Sequence, residues 1–198
     1  MRSNIPAKWL FLTGGAVILT FSAIVVSLPD NIAVVSVKSI ILLGQPIPGL
    51  PVRLKIPVIN VDALVEHVGV APDGTMAVPK GPADTSWFAL GTPPGAIGSA
   101  VIAGHYGWKN GIPAAFDNLS TLHPGDKLYI EDDRGATVTF VVRKVQIYEK
   151  DADASTVFLS SDGKAHLNLV TCEGVWNKSQ QSYAGRLVVF TDRETPSP

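Results

Sequence analysis

The chain holds one cysteine, Cys172, and its setting is informative. It closes the apolar run LNLVTC and is followed by Glu173-Gly174, which sets the thiol at the mouth of a strand. A cysteine nucleophile needs a proton acceptor and a group that stabilises an oxyanion. Four histidines can be considered: His67, His105, His123 and His166. His67 falls within a strand and His123 in a Pro-Gly turn, so both read as structural or solvated. His166 begins the strand leading to Cys172, on the same face but far along it. His105 follows SAVIAG and precedes Tyr106-Gly107-Trp108, again at the mouth of a strand. Strand ends converging at one barrel rim would join His105 and Cys172 across their separation in sequence. A guanidinium is the third element, and Arg186 starts the apolar run LVVF after the loop Glu173–Gly185. The other reading of Cys172 is a small buried core residue, a common fate of a free thiol.

The elements that must position these residues are mostly strands. Arg53–Pro57, Ala63–Val70, Ser99–Gly104, Lys127–Glu131, Thr137–Tyr148, His166–Thr171 and Leu187–Thr191 are rich in Val, Ile, Leu and Thr. Turn clusters separate them, among them Pro72-Asp73-Gly74, Pro93-Pro94-Gly95 and His123-Pro124-Gly125-Asp126. Short helices are expected at Ala83–Leu90, Pro113–Leu119 and Ala154–Leu159. Seven or eight short strands with few helices indicate an all-β barrel or sandwich.

Composition narrows the function classes. Of 198 residues, 16 are Lys or Arg and 17 are Asp or Glu, giving a formal charge of −1 with no basic block. That argues against binding nucleic acid by phosphate neutralisation. One cysteine excludes an intrachain disulfide, and also a zinc site built on two or more thiolates of this chain. No glycine-rich phosphate loop and no His/Asp/Glu cluster at metal spacing occurs. The densest acidic run, Glu131-Asp132-Asp133, reads as a solvated turn.

The charges are unevenly spread. Residues 1–50 carry only Arg2, Lys8, Asp30 and Lys38, and Trp9–Pro29 carries none. About 20 apolar residues at 1.5 Å each span a hydrocarbon core of ~30 Å, so Trp9–Pro29 is expected to be a transmembrane helix. A cleaved signal peptide is the alternative, but its apolar core is usually only about 7–15 residues. Arg2 and Lys8 precede the segment, which places the N-terminus in the cytoplasm and the folded part outside. Ile32–Leu43 is too short for a second span and is interrupted by Lys38. The expected organisation is an anchor over 1–30, a stalk and Pro/Gly-rich linker over 31–51, and a folded domain over 52–198.

Within that domain the chain resembles the sortases, the membrane-anchored cysteine transpeptidases of bacterial surfaces. The segments RLKIPVINVDALVEHVGV, DGTMAVP, PGAIGSAVIAGHYGW, AAFDNLSTLHPGDKLYI, LVTCEG and RLVVF follow the family's order over most of Arg53–Thr191. The pattern is nearest to class F-like or related sortases. The resemblance implies a closed eight-stranded β-barrel and a His–Cys–Arg site, carried over as His105, Cys172 and Arg186. It also implies that Thr171 and Asn168 face substrate. Here the family's T-L-x-T-C signature begins with Asn168 in place of Thr, a change expected to alter substrate fit. The implied reaction is cleavage of an LPxTG-like sorting signal through a thioester and transfer to an amine of the cell wall or of another protein subunit. The implied partners are secreted proteins bearing such signals, the amine acceptor and the membrane. No cofactor is expected. Calcium stimulates some sortases, but no acidic cluster here indicates a site.

Two other classes compete with this reading. One is a different extracellular cysteine protease; a papain-like enzyme would place its Cys before its His, the reverse of the order here. The other is a non-catalytic surface barrel that only binds a peptide.

Overall fold

The computed structural model describes residues 48–179 and 182–195. The expected membrane span, Trp9–Pro29, and the expected stalk up to residue 47 lie outside the described residues. Among the described residues no helix is long and apolar enough to cross a membrane.

Eight strands form one closed barrel. They are β1 (Pro51–Ile56), β2 (Val61–Val68), β3 (Thr85–Phe88), β4 (Gly98–Gly104), β5 (Lys127–Asp132), β6 (Thr137–Glu149), β7 (Ala165–Asn177) and β8 (Ser182–Arg193). Around the barrel the order is β1-β2-β3-β4-β7-β8-β6-β5, and β5 closes back on β1. The β2–β3 and β4–β7 pairs are parallel and the others antiparallel. A one-turn helix, α1 (Ser155–Phe158), lies in the connection between β6 and β7. Strand alternation sends one side of each strand inward. Leu54, Ile102, Leu128, Phe140, Leu167, Leu169 and Val189 thereby form a fully buried barrel core. Phe116, from the β4–β5 connection, completes it.

A second, smaller apolar cluster lies on the opposite side of the β4–β7–β8 sheet. Val101, Val188 and Phe190 face outward there and are covered by Val157 of α1, with Phe88, Tyr148, Phe158 and Val170 packed around them. This part of the barrel is therefore apolar on both faces.

Two of the three helix expectations change. Ala83–Leu90 contains strand β3 instead, inserted between β2 and β4. Its residues reward that placement: Thr85 donates to the Leu64 carbonyl (3.0 Å), Ser86 to the Ala77 carbonyl (3.3 Å) and Trp87 Nε1 to the Thr92 carbonyl (3.1 Å). Pairing on both sides overrides the local pattern. Pro113–Leu119 is a chain of turns running into a 3-10 turn at Leu119–Thr121. The Asp117 carboxylate holds it by accepting from the amides of Gly107 (2.7 Å) and Ala114 (2.9 Å). Ala154–Leu159 does contain α1.

Two further expectations are corrected. The loop read over Glu173–Gly185 is largely an extension of the β7–β8 hairpin, with Trp176 opposite Tyr183 beyond an irregularity at Glu173/Trp176. Gly174 there has φ +91°, a conformation that glycine adopts without steric cost. Nor is the acidic run solvated throughout. Asp132 is buried, and its carboxylate accepts from the amides of Gly49, Arg134 and Ala136. Burial pushes its pKa up, but those hydrogen bonds prevail and hold it below the usual carboxylate value.

Candidate active site

Cys172 and Arg186 lie on the neighbouring strands β7 and β8, and His105 is the first residue past the end of β4. β4 and β7 run parallel in register, Ser99 beside His166, Val101 beside Asn168 and Ala103 beside Val170. The next step of two along both strands reaches His105 and Cys172, so the two chains deliver them to the same end of the sheet. β8 runs antiparallel to β7 and pairs Arg186 directly with Cys172. Alternation puts Ala103, Val170, Cys172, Arg186 and Val188 on one face, and His105 lines the same cleft. That face points away from the packed core. The site thus lies on the outer wall near the strand ends, whereas the sequence suggested the barrel rim.

These side chains line a cleft of about 780 Å³. Its apolar surface comes from Val70, Met76, Val78 and Phe88 together with Val157, Phe158 and Leu159 of the α1 segment, and Phe88 packs edge-on against Phe158. Val101, Ala103, Val170 and Val188 lie along the sheet, and Asp73, Glu149 and Lys150 add charge.

The backbone around the reacting groups is tied across the strands. Thr171, buried next to Cys172, donates its hydroxyl to the Gly104 carbonyl next to His105 at 2.8 Å. It faces inward, away from Cys172. Gly104 itself cannot be larger, because a Cβ there would stand 2.5 Å from the Phe116 ring. The Phe116 amide in turn donates to the His105 carbonyl at 3.1 Å.

The titratable groups have distinct surroundings. His105 Nε2 lies 2.8 Å from the Pro79 carbonyl. A carbonyl only accepts, so Nε2 carries the proton and Nδ1 holds the lone pair of the neutral ring. The ring packs on Trp108 with centroids 4.6 Å apart. Burial pushes the Cys172 thiol pKa up, and the Arg186 charge pulls against it. Arg186 Nη1 donates to the carbonyls of Gly185 (2.9 Å) and Tyr183 (3.4 Å), which fixes the fork and leaves Nε and Nη2 as further donors. Beside Cys172 stands an aromatic group that the sequence reading did not single out. Tyr183 packs edge-on against Trp176 (5.1 Å) and Tyr106 (5.6 Å), and burial followed by the nearby Cys172 raises its pKa. Only the pairing of β7 with β8 reveals that grouping.

The remaining candidates lie elsewhere. Asn168 shares the outer face of β7 with Cys172, but it is buried behind the cleft and donates to the Val157 carbonyl at 2.6 Å. It lines a separate polar pocket of about 480 Å³ together with His166 and Asp162. His166 is held between Asp192 (2.8 Å) and Asp162 (3.0 Å). Its hydrogen bond, with those from the Lys164 amide and the Ser160 hydroxyl, keeps the Asp162 carboxyl well below the ordinary range. His67 Nε2 bonds the Pro51 carbonyl at 2.8 Å and stands edge-on to Trp87, while His123 is exposed. Among the described residues no group of three or more His, Cys, Asp or Glu side chains could hold a metal ion.

Comparison with known proteins decides the family. The profile of the sortase domain matches residues 54–194, most of the chain. The chain belongs to the sortase family. Sortases are cysteine transpeptidases, and the closed eight-stranded barrel is the sortase fold. Solved sortases share that fold at low identity. Sortase A from Corynebacterium diphtheriae, as a lid mutant, is 22% identical over 79% of this chain and 75% of its own, with a TM-score of 0.59. Sortase C-1 from Actinomyces oris is 22% identical over 73% of each chain, with a TM-score of 0.55. A pilus-related sortase C of Group B Streptococcus is 20% identical over 74% of this chain and 68% of its own, with a TM-score of 0.57. No significant match is found among curated protein sequences.

Proposed function

We propose that this sortase is a membrane-anchored transpeptidase that cleaves an LPxTG-like sorting signal and transfers the attached protein to an amine. The observation that carries the proposal is the Cys172–Arg186 cross-strand pair, with His105 delivered to the same end of the sheet, over an apolar cleft. The apolar walls suit the Leu-Pro head of such a signal. Cys172 gives its thiol proton to His105 Nδ1 as Sγ attacks the scissile carbonyl carbon, and Arg186 N–H groups stabilise the oxyanion. The C–N bond breaks as His105 gives a proton to the departing amine, leaving a thioester. An incoming amine loses its proton to His105, attacks the thioester, forms the new amide and releases the thiol. Water in place of the amine gives hydrolysis. Burial favours the protonated thiol and the Arg186 charge opposes it, so the nucleophile depends on a nearby group to take its proton.

The acceptor in this reading is an amine of a peptidoglycan precursor or of a pilin-type subunit. Trp9–Pro29 anchors the protein with its N-terminus in the cytoplasm and the barrel outside. Protease added to intact spheroplasts should then digest the barrel; protection equal to that of a cytoplasmic control would overturn the orientation. The catalytic proposal is tested with a panel of peptides varied around LPxTG, following cleavage, amine transfer and labelling of Cys172 by a thiol reagent. Cleavage of a panel member that also protects Cys172 from labelling is expected. Protection without cleavage would favour a peptide-binding module. Cleavage without transfer to any supplied amine would favour a protease.

A further inference from the structure

The wall of the cleft formed by α1 is a weak element by itself. A four-residue helix has too few internal hydrogen bonds to hold its shape in water, and its last carbonyls lack intrahelical partners. Its first turn is fastened locally, by the Ser155 amide and hydroxyl on Asp153. Its last turn is fastened from the barrel. Asn168 Nδ2 donates to the Val157 carbonyl at 2.6 Å, and Asn168 is almost wholly buried, at 1% exposure. Val157 and Phe158 line the cleft, whereas Asn168 does not.

We infer that Asn168 is a positioning residue for substrate recognition: its hydrogen bond to Val157 sets α1 against the sheet and so fixes the apolar wall of the cleft. The inference rests on the proposed reading of that cleft as the peptide site. Asn168 stands two outer-face positions before Cys172 on β7. One strand face thereby carries both the nucleophile and the tie that shapes its specificity. The tie acts at a distance from the thiol, so its loss changes how well the peptide head fits without touching the reacting atoms.

The test uses the full chain carrying Asn168→Leu, which removes the donor while keeping the γ-branched outline of the side chain. Hydrogen exchange at the Leu159 amide, which closes α1 on the Ser155 carbonyl, reads the helix directly. Faster exchange is expected, with KM for a sorting peptide raised about three- to tenfold, the scale of one neutral hydrogen bond. The kcat should stay within about twofold, as for a lost ground-state contact. Alkylation of Cys172 by iodoacetamide should keep its parental rate. Asn168→Val and Asn168→Thr match each other in shape and differ by a hydroxyl. Thr should lie closer to the parent than Val, and this pair also decides the matter if the leucine variant does not fold. Unchanged exchange and KM in a folded donor-less variant would overturn the inference. So would equal behaviour of Val and Thr, or a fall in kcat accompanied by slower alkylation. Should the parent turn over no peptide, the functional reading fails, while the exchange data still decide whether Asn168 holds α1.

Discussion

The two faces of the β4–β7–β8 sheet are built from the same strands and do different work. On β7, Leu167, Leu169 and Thr171 enter the barrel, while His166, Asn168, Val170 and Cys172 face out. The inward face is uniformly packed, and its polar groups are turned to backbone, as with Thr191 on the Leu167 carbonyl at 2.7 Å. The outward face mixes a small apolar cluster with a thiol, an amide, an imidazole and a guanidinium. The interior fixes strand register, and register then fixes where the outward groups meet. Stability and chemistry are thereby assigned to opposite sides of a single sheet, and substitutions should separate them.

The sharpest separation is expected from Cys172→Ala. It should keep the circular dichroism spectrum and melting temperature of the parent and lose all peptide cleavage and transfer. Substantial residual cleavage by the purified variant would remove Cys172 from the nucleophile's role. Arg186→Ala comes next, lowering kcat/KM by about 10²–10³, or ~2.7–4 kcal/mol, the scale for losing an oxyanion donor. Arg186→Lys keeps the charge without the planar fork and should recover little of that loss. Turnover within a few-fold of the parent in Arg186→Ala would leave a Cys–His dyad.

An inward change should show the opposite pattern. Ile130→Val in the barrel core should cost about 0.5–1.5 kcal/mol of stability in denaturant titration. Its kcat/KM should match the parent's; a selective loss of activity would mean that the two faces are coupled. The smallest effect concerns pH. Burial raises the Cys172 pKa and Arg186 opposes that rise, so alkylation should accelerate as pH climbs into the alkaline range. In Arg186→Ala the midpoint should move higher still. A midpoint moving downward would show that Arg186 does not act on the thiol.

The inward face was legible in the sequence because alternation and β-branched composition are local signals. Seven strands were readable, and the eighth was missed. Thr85-Ser86-Trp87 carries no strand pattern, and only its partners on β2 and β4 make it one. The groups Cys172, His105 and Arg186 could be singled out from strand ends and family-like order. Their common placement on the outer wall required the parallel pairing of β4 with β7, which no local pattern encodes. Asn168 was expected to face substrate; alternation gave its face and the short helix was expected too, but the docking of α1 over Asn168 is a tertiary contact that no local pattern encodes.

The Thr171–Gly104 tie and the pairs beside it have a consequence for how this site can change over generations. The position of Cys172 relative to His105 is counted in residues along β7 and β4, and a pleated strand cannot shift by a fraction of a residue. Insertions in the connections between those strands leave the count untouched, however long they grow. A single deletion between Leu167 and Thr171 would instead turn the thiol into the barrel, because one step reverses the face. The spacing of the reacting groups is therefore indifferent to loop length and all-or-none in the strands.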